Sequence, residues 1–236
     1  MSDILNKGID LSEHNGTVNF DTLKRHGVDF VLLRAGYGSA NKYPEQYDTK
    51  FEEYYQKAKA AGLGVGAYWY SYAGDTTAAE DEINAFATVL EGKTFEYPVY
   101  FDLEESSVAS AVGRTTYTDI VKYMLDTLES IGYWVGLYAS LNFLSSKLDM
   151  SKLQRFAVWC AQWDTSCDYN GADMWQYCDD LKVPGCPTLV DGDYCYRDYP
   201  EEIRAKGLNG FNLKTDNAVT KINQMRGILD ELEDLI

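Results

Sequence analysis

The segment "YPVYFDLEE", Tyr97 to Glu105, is an apolar run that finishes in Asp102, Glu104 and Glu105. Side chains alternate faces along a strand, so Val99, Phe101 and Leu103 share one side and Tyr100, Asp102 and Glu104 the other. Asp102 and Glu104 then stand roughly 6–7 Å apart at their β-carbons. Carboxylates so placed repel each other unless a site, a metal or a cation makes use of them. The chain holds two histidines, His14 and His26, and neither lies near a nucleophile-elbow pattern. That count excludes a multi-histidine metal site and leaves no partner for a serine nucleophile. Whatever chemistry the chain performs must be carboxylate chemistry.

Composition narrows the partners. The 236 residues carry a formal net charge of −16, with 21 basic against 37 acidic side chains. Nucleic acid binding needs clustered Lys and Arg and is excluded on that balance, and anionic membrane surfaces are disfavoured. No window approaches the roughly 20 apolar residues of a membrane span, so no membrane insertion is expected. The start, "MSDILNKGID", has neither a basic region nor an apolar run, which predicts a chain made in the cytoplasm without a recognisable signal peptide. Five cysteines cluster in the last third, odd in number and without a Cys-x-x-Cys pair. They read as free thiols packed as small apolar groups, or as holding one disulfide in an oxidising medium, and neither a zinc site nor any other cofactor is expected.

The acids need elements to position them. Eight apolar runs read as strands: "KGIDLS", "DFVLLRAGYG", "LGVGAYWYSYA", "PVYFDLEE", "YWVGLYAS", "FAVWCAQWD", "DMWQYCDD" and "TLVDGDYCY". Helical stretches separate the earlier ones. "PEQYDTKFEEYYQKAKAAG" puts Phe51, Tyr54, Tyr55 and Ala58 on one stripe and stops at Gly62. "TTAAEDEINAFATVLEG" opens with a capping-box pattern at Thr77 and Glu80 and stops at Gly92. "TTYTDIVKYMLDTLESIG" turns Ile120, Met124, Leu128 and Ile131 inward and stops at Gly132. Strand–helix alternation implies a parallel sheet with crossover helices, and eight strands suggest closure. The spacing predicts an α/β fold, an irregular eight-stranded (β/α) barrel with helices missing between the last strands. Active sites of such barrels lie at the carboxyl ends of the strands. Asp10 falls late in strand one, Asp102 and Glu104 end strand four, and Asp191 lies in the last run beside Asp193. Any one alone reads as a helix cap or a loop carboxylate. Four converging on one mouth do not.

"GIDLSEHNG", "FVLLRAGYG", "GLGVGAYWYSYA", "YPVYFDLEE", "GYWVGLYAS", "WCAQW" and "MWQYCDDLKVPGCPTLVDGDYCYRDYP" occur in the order seen in family 25 glycoside hydrolases. Over about residues 7 to 200 the chain resembles the N-acetylmuramidases (lysozymes) of bacteria and their phages. The resemblance implies a hydrolase of the β-1,4 bond after N-acetylmuramic acid in bacterial peptidoglycan. It implies Glu104 as the general acid, Asp102 as its partner, and Asp10 and Asp191 as the other active-site aspartates. Where the family often has Asn or Asp and then an aromatic after its last aspartate, this chain has "VDGDYCY", which puts Asp193 beside Asp191; Asp191 is the preferred match. Physical chemistry agrees, since glycoside hydrolysis needs a protonated acid at the leaving oxygen and a negative group for the oxocarbenium-like state. Crowding by Asp102, Asp10 and Asp191 should keep Glu104 protonated near neutrality. A nucleophilic aspartate and attack by the substrate's own 2-acetamido group both fit; N-acetyl groups on every ring favour the second.

Arg34 lies on an apolar strand, where an unpaired guanidinium is costly, and is expected to bond one of the barrel acids or to bind substrate. Tyr68, Tyr70 and Tyr138, with Trp163, Trp175 and Gln176, are candidates for sugar contacts, against the plain alternative that strand aromatics are core. The catalytic barrel is expected over residues 1–207. Residues 208–236 read as a linker and a helix whose Ile222, Met225, Leu229, Leu232 and Ile236 follow a coiled-coil seam. That seam suggests a homodimer or a link to a wall-binding module, against the plain alternative of a helix docked on the barrel. Two other functions fit the same barrel: a catalytically silent peptidoglycan-binding module, and a hydrolase of chitin-like polymers. Crowded carboxylates are of no use to the first. The expected place of action is the bacterial cell wall, after release.

Overall fold

The computed structural model describes residues 3–212. Eight strands close a barrel in chain order: β1 (Asn6–Leu11), β2 (Phe30–Tyr37), β3 (Gly64–Tyr70), β4 (Val99–Asp102), β5 (Val135–Ser140), β6 (Ala157–Ala161), β7 (Met174–Leu181) and β8 (Val190–Cys195). The helices are α1 (Phe20–Arg25), α2 (Phe51–Ala60), α3 (Thr76–Leu90), α4 (Ser106–Val112), α5 (Arg114–Ser130), α6 (Leu141–Ser146) and α7 (Tyr199–Lys206). None of those described is long and apolar enough to cross a membrane. The expected coiled-coil helix lies outside the described residues.

The strands pair in parallel from β1 through β7. β8 runs antiparallel to both β7 and β1. The parallel sheet implied by the alternation of elements is thus corrected at its last strand. Residues 182–189 form too short a link for a crossover, which needs a dozen or more residues, so the chain returns as a hairpin. The reversal puts the start of β8, not its end, at the carboxyl-terminal mouth of the other strands.

Two helix starts also differ from the sequence reading. The first is the run at Pro44, which makes one 3-10 turn and breaks before α2. Asp48 sits in the break because its carboxylate accepts from the Glu13 and Lys50 amides and from Arg34. α3 is capped by Asp75, whose side chain accepts from the Ala78 amide, and the Thr77–Glu80 box is not used. Ile131, expected inward, is 56% exposed because α5 has already ended at Ser130. Gly62, Gly92 and Gly132 do stop their helices, all with positive φ.

Strand parity divides the apolar residues into two layers. Val31, Leu33, Trp69, Phe101 and Leu137 face the helices, while Phe30, Leu32, Tyr68, Tyr100, Tyr138, Trp159 and Met174 fill the barrel. So many rings fit only where a neighbour has no side chain. A β-carbon on Gly8 would lie 2.3 Å from the Phe30 ring, and one on Gly136 would lie 2.5 Å from Tyr100 and 2.6 Å from the Ala157 carbonyl oxygen. The other end of the barrel is closed by residues read as linker. Asn209 is buried, accepts from the Trp134 amide at 2.6 Å and donates to the carbonyls of Phe95 and Tyr97. Phe211 lies under the Arg204 guanidinium, 4.1 Å from ring centroid to charge. Asn209 thus satisfies three backbone groups, and Asn209 and Phe211 both pack against this end of the barrel. The five cysteines are unpaired thiols, with Cys160 and Cys195 buried.

Glu82 on α3 is 1% exposed and accepts from the Tyr72 amide at 2.8 Å, tying down the loop after β3. Its other oxygen has no partner among the described residues, and burial raises its pKa from 4.5 to about 7. The unfolded chain loses this proton near pH 4.5 while the folded one keeps it to about 7, so stability falls with rising pH across that window. Glu82→Gln has no proton to lose there. The stability difference, mutant minus wild type, should grow by on the order of 2–3 kcal/mol between those pH values and stay flat above, measured by denaturant melts at several pH values. A constant difference would show that Glu82 titrates normally. Gly136→Ala should destabilise by about 1–3 kcal/mol through overpacking against Tyr100, seen as a lower Tm.

Candidate active site

The acids meet at the mouth. Asp10 pairs directly across the β1–β8 ladder with Asp191, and Gly8, one step deeper on the same face, pairs with Asp193. Asp102 is the last residue of β4, opposite Tyr70 and Tyr138. One more ladder bond, from the Leu103 amide to the Tyr138 carbonyl at 2.9 Å, carries the strand direction on. Glu104 follows at the rim, exposed, just before α4.

Burial sets the electrostatics. Asp10, Asp102 and Asp193 are buried, and burial is the main reason each holds its proton well above the usual carboxylate range. The negative charges of Asp193 and Asp191 add to the rise at Asp10, and that of Glu104 adds to the rise at Asp102. Asp191 is raised by burial too, although a hydrogen bond with Asp10 pulls it back. Glu104 is raised by partial burial and then by Asp191 and Glu105. It is also the most open of the five, so solvent tempers its shift.

Arg34 is the correction here. It does not bond a mouth acid: its Nε donates to Asp48 at 2.8 Å and its Nη2 to Glu13 at 3.0 Å. Its charge still favours ionised Asp102 at longer range. Asp48 and Glu13 could not be found from the sequence, because their partnership with Arg34 spans loops that pattern reading does not connect. Asp193 was visible beside Asp191. The structure places it deeper, with Oδ1 accepting from the Trp159 indole at 2.9 Å and Oδ2 without a partner among the described residues.

The aromatic candidates divide. Tyr68 is buried beneath Asp10 and Asp102, whose charges act on its hydroxyl. Tyr138 donates to Gln176 Oε1 at 2.9 Å, and Tyr70 donates to Glu105 at 2.8 Å. Trp163 stands 60% exposed and bonds Gln176 through its indole nitrogen. Trp175 is not brought to the mouth. Gln176 points inward, so parity turns Trp175 outward, where it meets Tyr177 edge-on and Tyr194 at a tilt and donates to the Gln162 carbonyl at 2.7 Å. Among the described residues, no group of three or more His, Cys, Asp or Glu is arranged to hold a metal ion.

Known proteins share this architecture. The chain is 28% identical over 189 residues to the autolytic lysozyme of Clostridium acetobutylicum, a match over 79% of this chain and 55% of that protein. It thus spans about half the length of that curated relative. A bacterial lysozyme from Streptomyces coelicolor superposes with a TM-score of 0.71 at 18% identity, covering 88% of this chain and 98% of that one. A family 25 glycosyl hydrolase from Bacillus anthracis gives 0.72 at 21% identity, covering 86% and 94%. At those identities the solved structures speak for the fold. The model of glycosyl hydrolases family 25 matches residues 9–186, a span that holds Asp10, Asp102 and Glu104 and stops just short of Asp191. On that match, the chain belongs to glycosyl hydrolases family 25.

Proposed function

We propose that this protein is a muramidase of the bacterial cell wall, hydrolysing the β-1,4 bond between N-acetylmuramic acid and N-acetylglucosamine in peptidoglycan. The observation that carries the reading is the meeting of Asp10, Asp102, Asp191 and Glu104 at one barrel mouth in a chain of this family. Glu104 is the general acid, open enough to reach a leaving oxygen and crowded enough to hold its proton.

Asp102 prepares the substrate. Its Oδ1 is buried and accepts no hydrogen bond among the described residues. In the free protein, complete burial favours the proton on Asp102 over the more open Glu104. A substrate acetamido N–H delivered to Oδ1 supplies the missing donor, stabilises the Asp102 charge and leaves the proton to Glu104. The acetamido oxygen then attacks C1, the bond from C1 to the leaving O4 breaks, and Glu104 protonates O4. Asp102 balances the positive oxazolinium ring. Water then adds to C1 as the C1–O bond of the oxazolinium ring breaks and the acetamido group re-forms, Glu104 takes a proton from the water, and the configuration at C1 is retained.

Two outcomes test this. Digestion of purified peptidoglycan, with borohydride reduction and mass spectrometry of the products, should show new reducing ends on muramic acid, at least about a hundredfold fewer with Glu104→Gln. Reducing ends on N-acetylglucosamine would keep the barrel chemistry and change the bond cleaved, while no products would remove the hydrolase reading. Trapping a covalent aspartyl–sugar adduct would overturn substrate assistance. The kcat/KM profile should keep its acid-dependent limb above the ordinary glutamate value of 4.5, because Glu104 is raised.

A further inference from the structure

Gln176 reaches from β7 into the mouth and is 3% exposed. Its Oε1 lies 2.9 Å from the Tyr138 hydroxyl and 3.1 Å from the Trp163 indole nitrogen, and its Nε2 lies 2.9 Å from Asp10 Oδ2. An indole N–H only donates. The amide oxygen must therefore face Trp163, which turns the amide nitrogen to Asp10. Both acceptor positions of Oε1 are then occupied, so a buried Gln176 has little left for a sugar. The backbone repeats the tie: the amide of Gln162, next to Trp163, donates to the Gln176 carbonyl at 3.1 Å.

We propose that Gln176 is a positioning residue that couples the exposed ring of Trp163 to the carboxyl group of Asp10 and holds that group against Asp191. The inference rests on the mouth being the hydrolytic site. Gln176 donates to Asp10 Oδ2, and Asp191, the cross-strand partner of Asp10, hydrogen-bonds the same carboxyl group. Other groups acting on Asp10 are Asp193 on β8, Asp102 on β4, Tyr68 on β3 and Tyr138 on β5, none of them cationic. Gln176 is thus a close donor that favours the ionised form of Asp10. A sugar resting on Trp163 would hold that donor in place, so occupancy at the rim is felt at Asp10.

The test is the pH dependence of kcat and KM on a soluble glycan-strand oligomer, for the wild type and three variants. Gln176→Leu should lower kcat by about ten- to a hundredfold with little change in KM. It should also move the limb set by the Asp10–Asp191 pair to higher pH, since removing a donor raises Asp10. Gln176→Glu should work near the wild-type rate at acid pH, where its protonated carboxyl donates to Asp10, and fail as that proton is lost. Trp163→Phe keeps a ring at the rim and changes only an exposed side chain, so its fold is not at stake. It should lower kcat and move the same limb in the same direction as Gln176→Leu. A Trp163→Phe variant that changes KM alone, or a folded Gln176→Leu variant with the wild-type rate and profile, overturns the coupling while leaving the muramidase reading intact. A wild type that cleaves no peptidoglycan overturns both.

Discussion

The structure depends on burying carboxyl groups where almost nothing balances their charge. Asp10, Asp102 and Asp193 lie inside the barrel, and the guanidinium nearest them, Arg34, is already bonded to Glu13 and Asp48. An isolated carboxylate in such a place costs several kcal/mol, so the groups keep protons or share them. The neutral donors around them are chosen accordingly: an indole for Asp193 and an amide for Asp10. A mouth of this kind holds its protons to higher pH than ordinary carboxyl groups do. Storing one where a glycosidic oxygen arrives is the requirement of acid-catalysed glycoside cleavage.

The barrel makes that arrangement affordable by separating layers. Below the acids, Tyr100, Trp159 and Met174 fill the interior, and Gly8 and Gly136 give the rings room. Outside, the opposite strand faces bury Val31, Leu33 and Phe101 against the helices. Three buried aspartates gather at the mouth, while apolar burial on both faces of the strands carries the fold. The reversed β8 completes the layer, because its first residues lie where the other strands end. It contributes Asp191 at the rim and Asp193 a step below without a longer connection.

Much of this was legible in the residues. All eight strands were readable from alternation and apolar runs, the three glycine stops hold, and parity put Asp102 on the face of Tyr100, which the structure turns into the barrel. What escaped depended on contacts distant in sequence. Asp48 looked like part of a helix, yet its bonds to Arg34 and the Glu13 amide pull the chain out of helical form. Trp175 looked like a sugar platform until register showed that Gln176 takes the inward position. Strand direction is not written in hydrophobic period, so β8 could be found but not oriented. Asn209 reads as a loop residue in a polar stretch, and only the fold shows the carbonyls it was placed to meet.

The central claim is that burial raises the carboxyl groups of the mouth above the ordinary carboxylate range, and a carboxyl-carbon NMR titration of protein labelled at Asp and Glu measures that directly. The account predicts aspartate resonances that titrate well above the ordinary 3.8, assigned by Asp10→Asn, Asp102→Asn and Asp193→Asn, with Glu104 titrating above the ordinary 4.5. Carboxyl groups that have all ionised by pH 5 would contradict it.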